Sequence, residues 1–169
     1  MQGTPSGLAK MEKGKMSLFI NEAIIGTKLN VVDSTSVITK MGEKLLNAGL
    51  VHGNFVEAVI SREEKYPTGL PTSIPVALCH TDPEYVKRSF LTVATLEKPV
   101  PFHEMGNPDN IQEVKLVFFL GILDKDKHIA ILKSMMKLIQ SADLLQSIYS
   151  TDSKVEIKKI LLENLKPNN

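Results

Sequence analysis

The chain has 169 residues and a formal net charge of +1; it is 43% hydrophobic and 23% charged, with a single cysteine and no tryptophan. That is enough chain for one domain, and with aromatics at 5% the core must be mainly aliphatic. Scattered basic residues argue against a nucleic-acid partner, no apolar run is long enough to span a membrane, and the lone Cys79 excludes an internal disulfide, so a cytoplasmic protein is expected.

The opening "MQGTPSGLAKMEKGKM" is polar and lacks the apolar centre of a signal peptide. Residues 1–17 are therefore expected to be a flexible extension, with the domain proper at 18–169. From Phe19 to Val32 the β-branched content predicts strand, broken near Gly26. Asp33, Ser34 and Ser36 offer N-cap oxygens for a helix to about Ala48, on which Val37, Met41, Leu45 and Leu46 recur at helical spacing. A second helix is expected from Asn54 to Lys65, stopped by Pro67 and Gly69. "PVAL" at 75–78 reads as a short buried strand leading into Cys79 and His80, and "SFLTVATL" at 89–96 as another strand. The stretch "EKPVPFHEMGNPDN" carries so much proline and glycine that it predicts an irregular loop. "VKLVFFLGIL", Val114 to Leu123, is apolar enough for a strand buried on both faces. Three helices complete the chain, at about Lys127–Gln140, Asp143–Tyr149 and Asp152–Leu165. Helices around a small central sheet predict a three-layer α/β/α sandwich.

Cys79 beside His80 raises the question of which side chain does chemistry. A thiol–imidazole pair must converge in space, whereas neighbours on a strand point to opposite faces. Cys79 is thus expected to pack as a small hydrophobe, leaving His80 accessible at the strand end. "TDPE" follows, with Asp82 placed to cap a helical turn and Pro83 at its first position, so free N–H groups would face an anion near His80. His128 falls in the first turn of a later helix, whose positive end disfavours an imidazolium. His52 and His103 are expected on the surface. His80, His128 and Asp82 could in principle hold a metal, but no closely spaced ligand pair supports it, and neither metal nor cofactor is called for.

The segment "ISREEKYPTGLPTSIPVALCHTDPEYV" resembles the active-site region of the enzyme IIA proteins of the bacterial phosphoenolpyruvate-dependent sugar phosphotransferase system. Within the fructose/mannitol-type superfamily it is most similar to the galactitol-type branch. A helix ending in "REE", then "PTG", then a strand ending in histidine carry the likeness, together with the histidine-opened helix of "VKLVFFLGILDKDKHIAILKSMMKLI". The family fold is itself an α/β/α sandwich with a small mixed sheet.

The resemblance implies that His80 accepts a phosphoryl group from the phosphocarrier HPr and passes it to a cysteine of an enzyme IIB. The membrane component IIC would then act indirectly, in uptake and phosphorylation of the sugar or polyol. His128 matches a second histidine beside the acceptor, and Arg62 an arginine whose planar fork can pair with phosphate oxygens. Thr81, and more weakly Thr68, are candidates to bind the phosphate by donating hydrogen bonds. Relatives usually have proline before the acceptor and often glycine after it, where this chain has Cys79 and Thr81. The alternative role is a phosphorylation-controlled regulatory module of the nitrogen type or of a transcriptional regulator, with the same acceptor chemistry.

Overall fold

The structure, a computed structural model, describes residues 18–165. The expected extension at 1–17 lies outside the described residues. The strands are β1 (Gly26–Leu29), β2 (Val76–His80), β3 (Phe90–Glu104) and β4 (Asn107–Gly121). The helices are α1 (Ser34–Asn47), α2 (Phe55–Lys65), α3 (Lys125–Ile139), α4 (Ala142–Ser150) and α5 (Lys154–Asn164). Short 3₁₀ turns occupy Glu22–Ile24 and Pro83–Tyr85.

The strands form one mixed sheet in the order β1-β3-β4-β2. The outer pairs β1·β3 and β4·β2 are parallel, and the central pair β3·β4 is an antiparallel hairpin. Apolar side chains alternate between the two faces of this sheet. Val76, Leu78, Leu116, Phe118 and Leu120 join the cores of α3, α4 and α5 on one face. Ala77, Cys79, Val117 and Phe119 join Val37, Met41 and Leu45 of α1 and Phe55 and Val59 of α2 on the other. Two buried clusters across one sheet give the three-layer sandwich that the sequence predicts.

The caps explain where the helices begin. Asp33 accepts hydrogen bonds from the Ser36 amide at 2.8 Å and the Ser36 hydroxyl at 2.6 Å, as its position in the sequence suggests. Ser141 and Ser153 cap α4 and α5 by accepting from Leu144 and Glu156 amides, so both helices are set by serines rather than by the nearby Asp143 and Asp152.

Two expectations are corrected. The first strand does not break at Gly26 but begins there, after Phe19 bridges to Phe90 and Glu22–Ile24 turns as 3₁₀. The stretch at 97–110 is not an irregular loop: β3 and β4 run through it as a two-stranded ribbon, with Glu104 opposite Asn107 and Gly106 turning at φ 79°. Beyond Leu96 and Leu116 neither β1 nor β2 accompanies the hairpin, so its outer edges face no further strand. Pro99, Pro101 and Pro108 are tolerated because a missing N–H on such an edge breaks no ladder. A register shift between Thr95 and Val100 absorbs Pro99.

Gly69 locks the loop after α2 onto that ribbon. Its amide donates to the His103 carbonyl at 3.0 Å, and its carbonyl accepts from the Met105 amide at 2.8 Å. A Cβ at this position would approach the His103 carbonyl oxygen to 2.7 Å. Gly69→Ala is therefore expected to destabilise the protein by about 1–3 kcal/mol, through forced displacement of a close-packed loop. Urea denaturation checks this, and a loss within experimental error would mean that the loop does not need this close approach.

Candidate active site

His80 is the last residue of β2, and the strand's alternation decides what it faces. The ladder with β4 stays in register through Cys79↔Phe119 and His80↔Leu120. Cys79 points into the α1/α2 layer and is 1% exposed. Burial, with the charge of Glu63 added, pushes its thiol well above the ordinary value, which leaves it an inert core residue. His80 emerges on the opposite face, where α3 begins. His128, in the first turn of α3, brings its ring centroid to 6.1 Å from that of His80, with the ring planes 51° apart.

Arg62 reaches the same place from the C-terminal end of α2. A cleft of about 280 Å³ is lined by Arg62, His80, Thr81, Asp82, Lys125 and His128, among others. The fold thus brings together four of the five residues singled out in the sequence. Thr68 is the exception. It is 3% exposed and does not line the cleft, its hydroxyl donating to Glu63 at 2.9 Å and accepting from the Leu78 amide at 3.1 Å. With both functions engaged behind β2, it has no donor left for a phosphate.

Asp82 also departs from expectation. Pro83–Tyr85 forms only a 3₁₀ turn, and Asp82 makes no side-chain capping bond to it. Its carboxylate instead lies 3.9 Å from Arg62, a long and largely exposed ion pair worth little on its own. The Arg62 guanidinium stacks over Tyr66 at 5.4 Å, and its Nε is buried without a hydrogen-bond partner. A guanidinium so held has donors to offer an incoming anion. Lys125, missed in the sequence because "LDKDK" reads as a solvated charge run, adds a second cationic side chain on the cleft wall. Glu63 was missed as well: only the fold shows that its carboxylate turns inward to accept from Thr68.

The His80 ring is held in one tautomer. Nδ1 of His80 lies 3.0 Å from the Leu78 carbonyl oxygen. A carbonyl only accepts, so Nδ1 carries the proton and Nε2 the lone pair. Burial holds the His80 pKa below the ordinary histidine value; the bond to Leu78 opposes this, and the Arg62 and His128 charges reinforce it, with Asp82 opposing weakly. At neutral pH the ring is uncharged and able to attack an electrophilic phosphorus. His52 and His103 are exposed and lie outside the cleft.

Residues 18–164 match the family described as the phosphoenolpyruvate-dependent sugar phosphotransferase system, EIIA 2. The chain belongs to this family. It is 25% identical over 152 residues to the galactitol-specific EIIA component of Escherichia coli K12, covering 88% of this chain and 97% of that protein. It is 26% identical over 130 residues to a probable licABCH operon regulator of Bacillus subtilis, spanning 77% of this chain but 19% of the regulator. Among solved structures, the Escherichia coli complex of enzyme IIAMTL with phosphorylated enzyme IIBMTL superposes with a TM-score of 0.71 at 20% identity, covering 86% of this chain and 99% of that one. The nitrogen regulatory protein IIA-Ntr of Neisseria meningitidis gives 0.69 at 23% identity, covering 83% and 94%. These likenesses agree with the α/β sandwich described above.

EIIA components are phosphotransferases that carry a phosphoryl group on histidine during sugar uptake, and this chain is one of them. The cleft at the end of β2 places an uncharged imidazole beside the side chains of Arg62 and Lys125. No three His, Cys, Asp or Glu side chains among the described residues are grouped to hold a metal ion.

A depressed histidine pKa has two consequences with definite signs. The unfolded chain takes up the proton near the ordinary value of 6.5, above the folded-state value, so stability contributed by His80 is lost as pH falls through that window. Because the Arg62 charge contributes to the depression, Arg62→Gln is expected to move the His80 titration upward, towards the ordinary value. A proton NMR titration of the imidazole ring checks both points. An unshifted His80 in the wild type would mean that burial does not govern this ring.

Proposed function

We propose that His80 is the phosphoacceptor of this EIIA protein, taking its phosphoryl group from phospho-HPr and delivering it to a cysteine of an enzyme IIB. The single observation that carries this reading is the bond from Nδ1 of His80 to the Leu78 carbonyl, beside His128 and Arg62. It leaves Nε2 as the attacking atom, with the donor nitrogen and Nε2 in line on either side of the phosphorus. The bond from phosphorus to the donor nitrogen breaks as the bond to Nε2 forms, and the electron pair returns to the donor ring. The transition state is loose and asks mainly for alignment and dispersed positive charge. Arg62, with its unpartnered Nε, is positioned to supply that charge, and Thr81 and His128 to donate hydrogen bonds. Lys125 adds to the field.

The phosphorylated ring gains roughly −1.5 to −2 charge, by analogy with hydroxyl side chains. Arg62 can then exchange its long contact with Asp82 for phosphate oxygens. Asp82, once freed, repels the phosphate slightly and keeps the carrier labile. Delivery to IIB and thence, through the membrane component IIC, to a galactitol-like polyol or sugar is supported by the galactitol-specific relative, which this chain matches over 97% of that protein's length. The phosphorylated IIB bound in the IIAMTL complex supports the same partner class. A cytoplasmic location follows from that chemistry, because both partners in the relay work there.

A regulatory role has its own support in the operon regulator and in IIA-Ntr. Transfer to a IIB cysteine separates the two: a transport component gives up its phosphate quickly, whereas a signalling module retains it.

Intact-protein mass spectrometry after incubation with phosphoenolpyruvate, enzyme I and HPr is the direct test. One acid-labile phosphate is expected on the wild type and none on His80→Ala. Arg62→Gln is expected to slow phosphorylation by roughly 10- to 100-fold, the scale of losing an oriented charge contact in a transition state. Undiminished labelling of His80→Ala would assign the acceptor elsewhere and end this reading.

A further inference from the structure

The hydrogen bonds behind His80 form one continuous chain that begins at Glu63. Its carboxylate accepts from the Thr68 amide at 2.8 Å through Oε2 and from the Thr68 hydroxyl at 2.9 Å through Oε1. The Thr68 oxygen in turn accepts from the Leu78 amide at 3.1 Å, and the Leu78 carbonyl accepts from Nδ1 of His80 at 3.0 Å. Thr68 and Leu78 are each 3% exposed, so the middle link of the chain is shielded from water.

The chain acts on position, because the Leu78 N–H can only donate and its C=O can only accept. An ionised carboxylate is acceptor-only, so the Thr68 hydroxyl must turn its hydrogen towards Glu63 and present lone pairs to Leu78. β2 lies at the edge of the sheet, with β4 on its inner side only. The outward Leu78 amide therefore has no neighbouring strand to bond, and a buried amide left without a partner is costly. Thr68 takes the place of that strand. Leu78 is pinned by its N–H on one link and holds the imidazole with its C=O on the next.

We propose that Glu63 is a positioning residue for phosphoryl transfer, acting through Thr68 and Leu78 to hold His80 as the Nδ1–H tautomer with Nε2 free to react. The inference rests on His80 being the acceptor. It gives Glu63 and Arg62, neighbours on α2, separate tasks on the two sides of β2: Arg62 faces the cleft and Glu63 braces the strand from behind. It also accounts for Thr68, whose place in the loop is to relay this brace and not to touch phosphate. Glu63 itself touches neither the reacting atoms nor the cleft.

Nitrogen-15 NMR of the imidazole rings, read beside the rate of phosphorylation by phospho-HPr, tests the relay in wild type, Glu63→Gln, Thr68→Ser and Thr68→Val. The wild type and Thr68→Ser, which keeps the hydroxyl, are expected to show His80 as the Nδ1–H tautomer and to react at similar rates. Thr68→Val keeps the shape and loses the relay; with Glu63→Gln it is expected to give a mixture of tautomers and transfer at least about 10-fold slower, as for a displaced reacting group. The double variant Glu63→Gln/Thr68→Val is expected to be no slower than the slower single variant, since the two residues act in series. A folded Thr68→Val protein with an unchanged His80 tautomer overturns the proposal, whatever its rate. Should Glu63→Gln fail to fold, the comparison of Thr68→Ser with Thr68→Val decides alone. If the wild type takes its phosphate on another residue, the phosphoacceptor reading fails, while the tautomer spectra still decide whether Glu63 governs the His80 ring.

Discussion

The two-residue alternation of β2 is the constraint on which the site depends. One strand must bury Ala77 and Cys79 against α1 and α2 and Val76 and Leu78 against α3 to α5. His80 inherits the second face from this pattern and meets α3 at its first turn. A slip of one residue against β4 would send His80 into the α1/α2 core and present the thiol to the cleft. The register is held by Leu116, Phe118 and Leu120 on one face of β4 and by Val117 and Phe119 on the other, all fully buried. Core packing on both faces thus sets the position of His80 at the strand's end.

Position at the sheet edge has a second effect. An interior strand would have its outward amides and carbonyls satisfied by a neighbour, and His80 could find no free carbonyl there. Because β2 is an edge, the loop from Pro67 to Leu70 must close it, with Leu70 and Val76 exchanging backbone bonds and Thr68 taking the Leu78 amide. The ribbon of β3 and β4 then buttresses that loop through Gly69. The stretch between α2 and β2 is therefore a structural seal on the strand that carries His80. Its prolines and glycine fit the geometry of a loop packed on both sides.

Much of this was legible in sequence because it follows from short-range periodicity. The helical spacing of Val37, Met41 and Leu45, the cap at Asp33, and the opposite facing of Cys79 and His80 need only local rules. The nearness of Arg62, His80 and His128 was legible only through the family resemblance, since 65 residues of chain lie between Arg62 and His128 and no local rule brings them together. The ribbon at 97–110 was hidden by its prolines, whose tolerance depends on which strands stop short beside them. Glu63 and Lys125 were hidden for another reason: in sequence each is one charge in a charged run, and only packing distinguishes the carboxylate that turns inward or the lysine that lines a cleft. Thr68 lay in the right loop but faced the other way, because a neighbour's hydrogen-bonding need took precedence over any ligand.

A carrier differs from an enzyme that keeps its intermediate buried, and the cleft reflects that. Phosphohistidine must be stable enough to form and unstable enough to leave, so transition-state charge has to be stabilised more than the charge of the product. A tight cage of lysines and helix amides would hold the phosphate as firmly as the transition state and stop the relay. Here the strongest cation, Arg62, is half engaged by Asp82 and stacked on Tyr66, and the second, Lys125, is exposed. The His80 ring, in contrast, is held closely, its proton located by a backbone carbonyl that is itself anchored. On the role proposed for His80, firm control of the attacking nitrogen with a loose hold on the phosphate lowers the barrier without deepening the well, so that one histidine can serve a donor and an acceptor in turn.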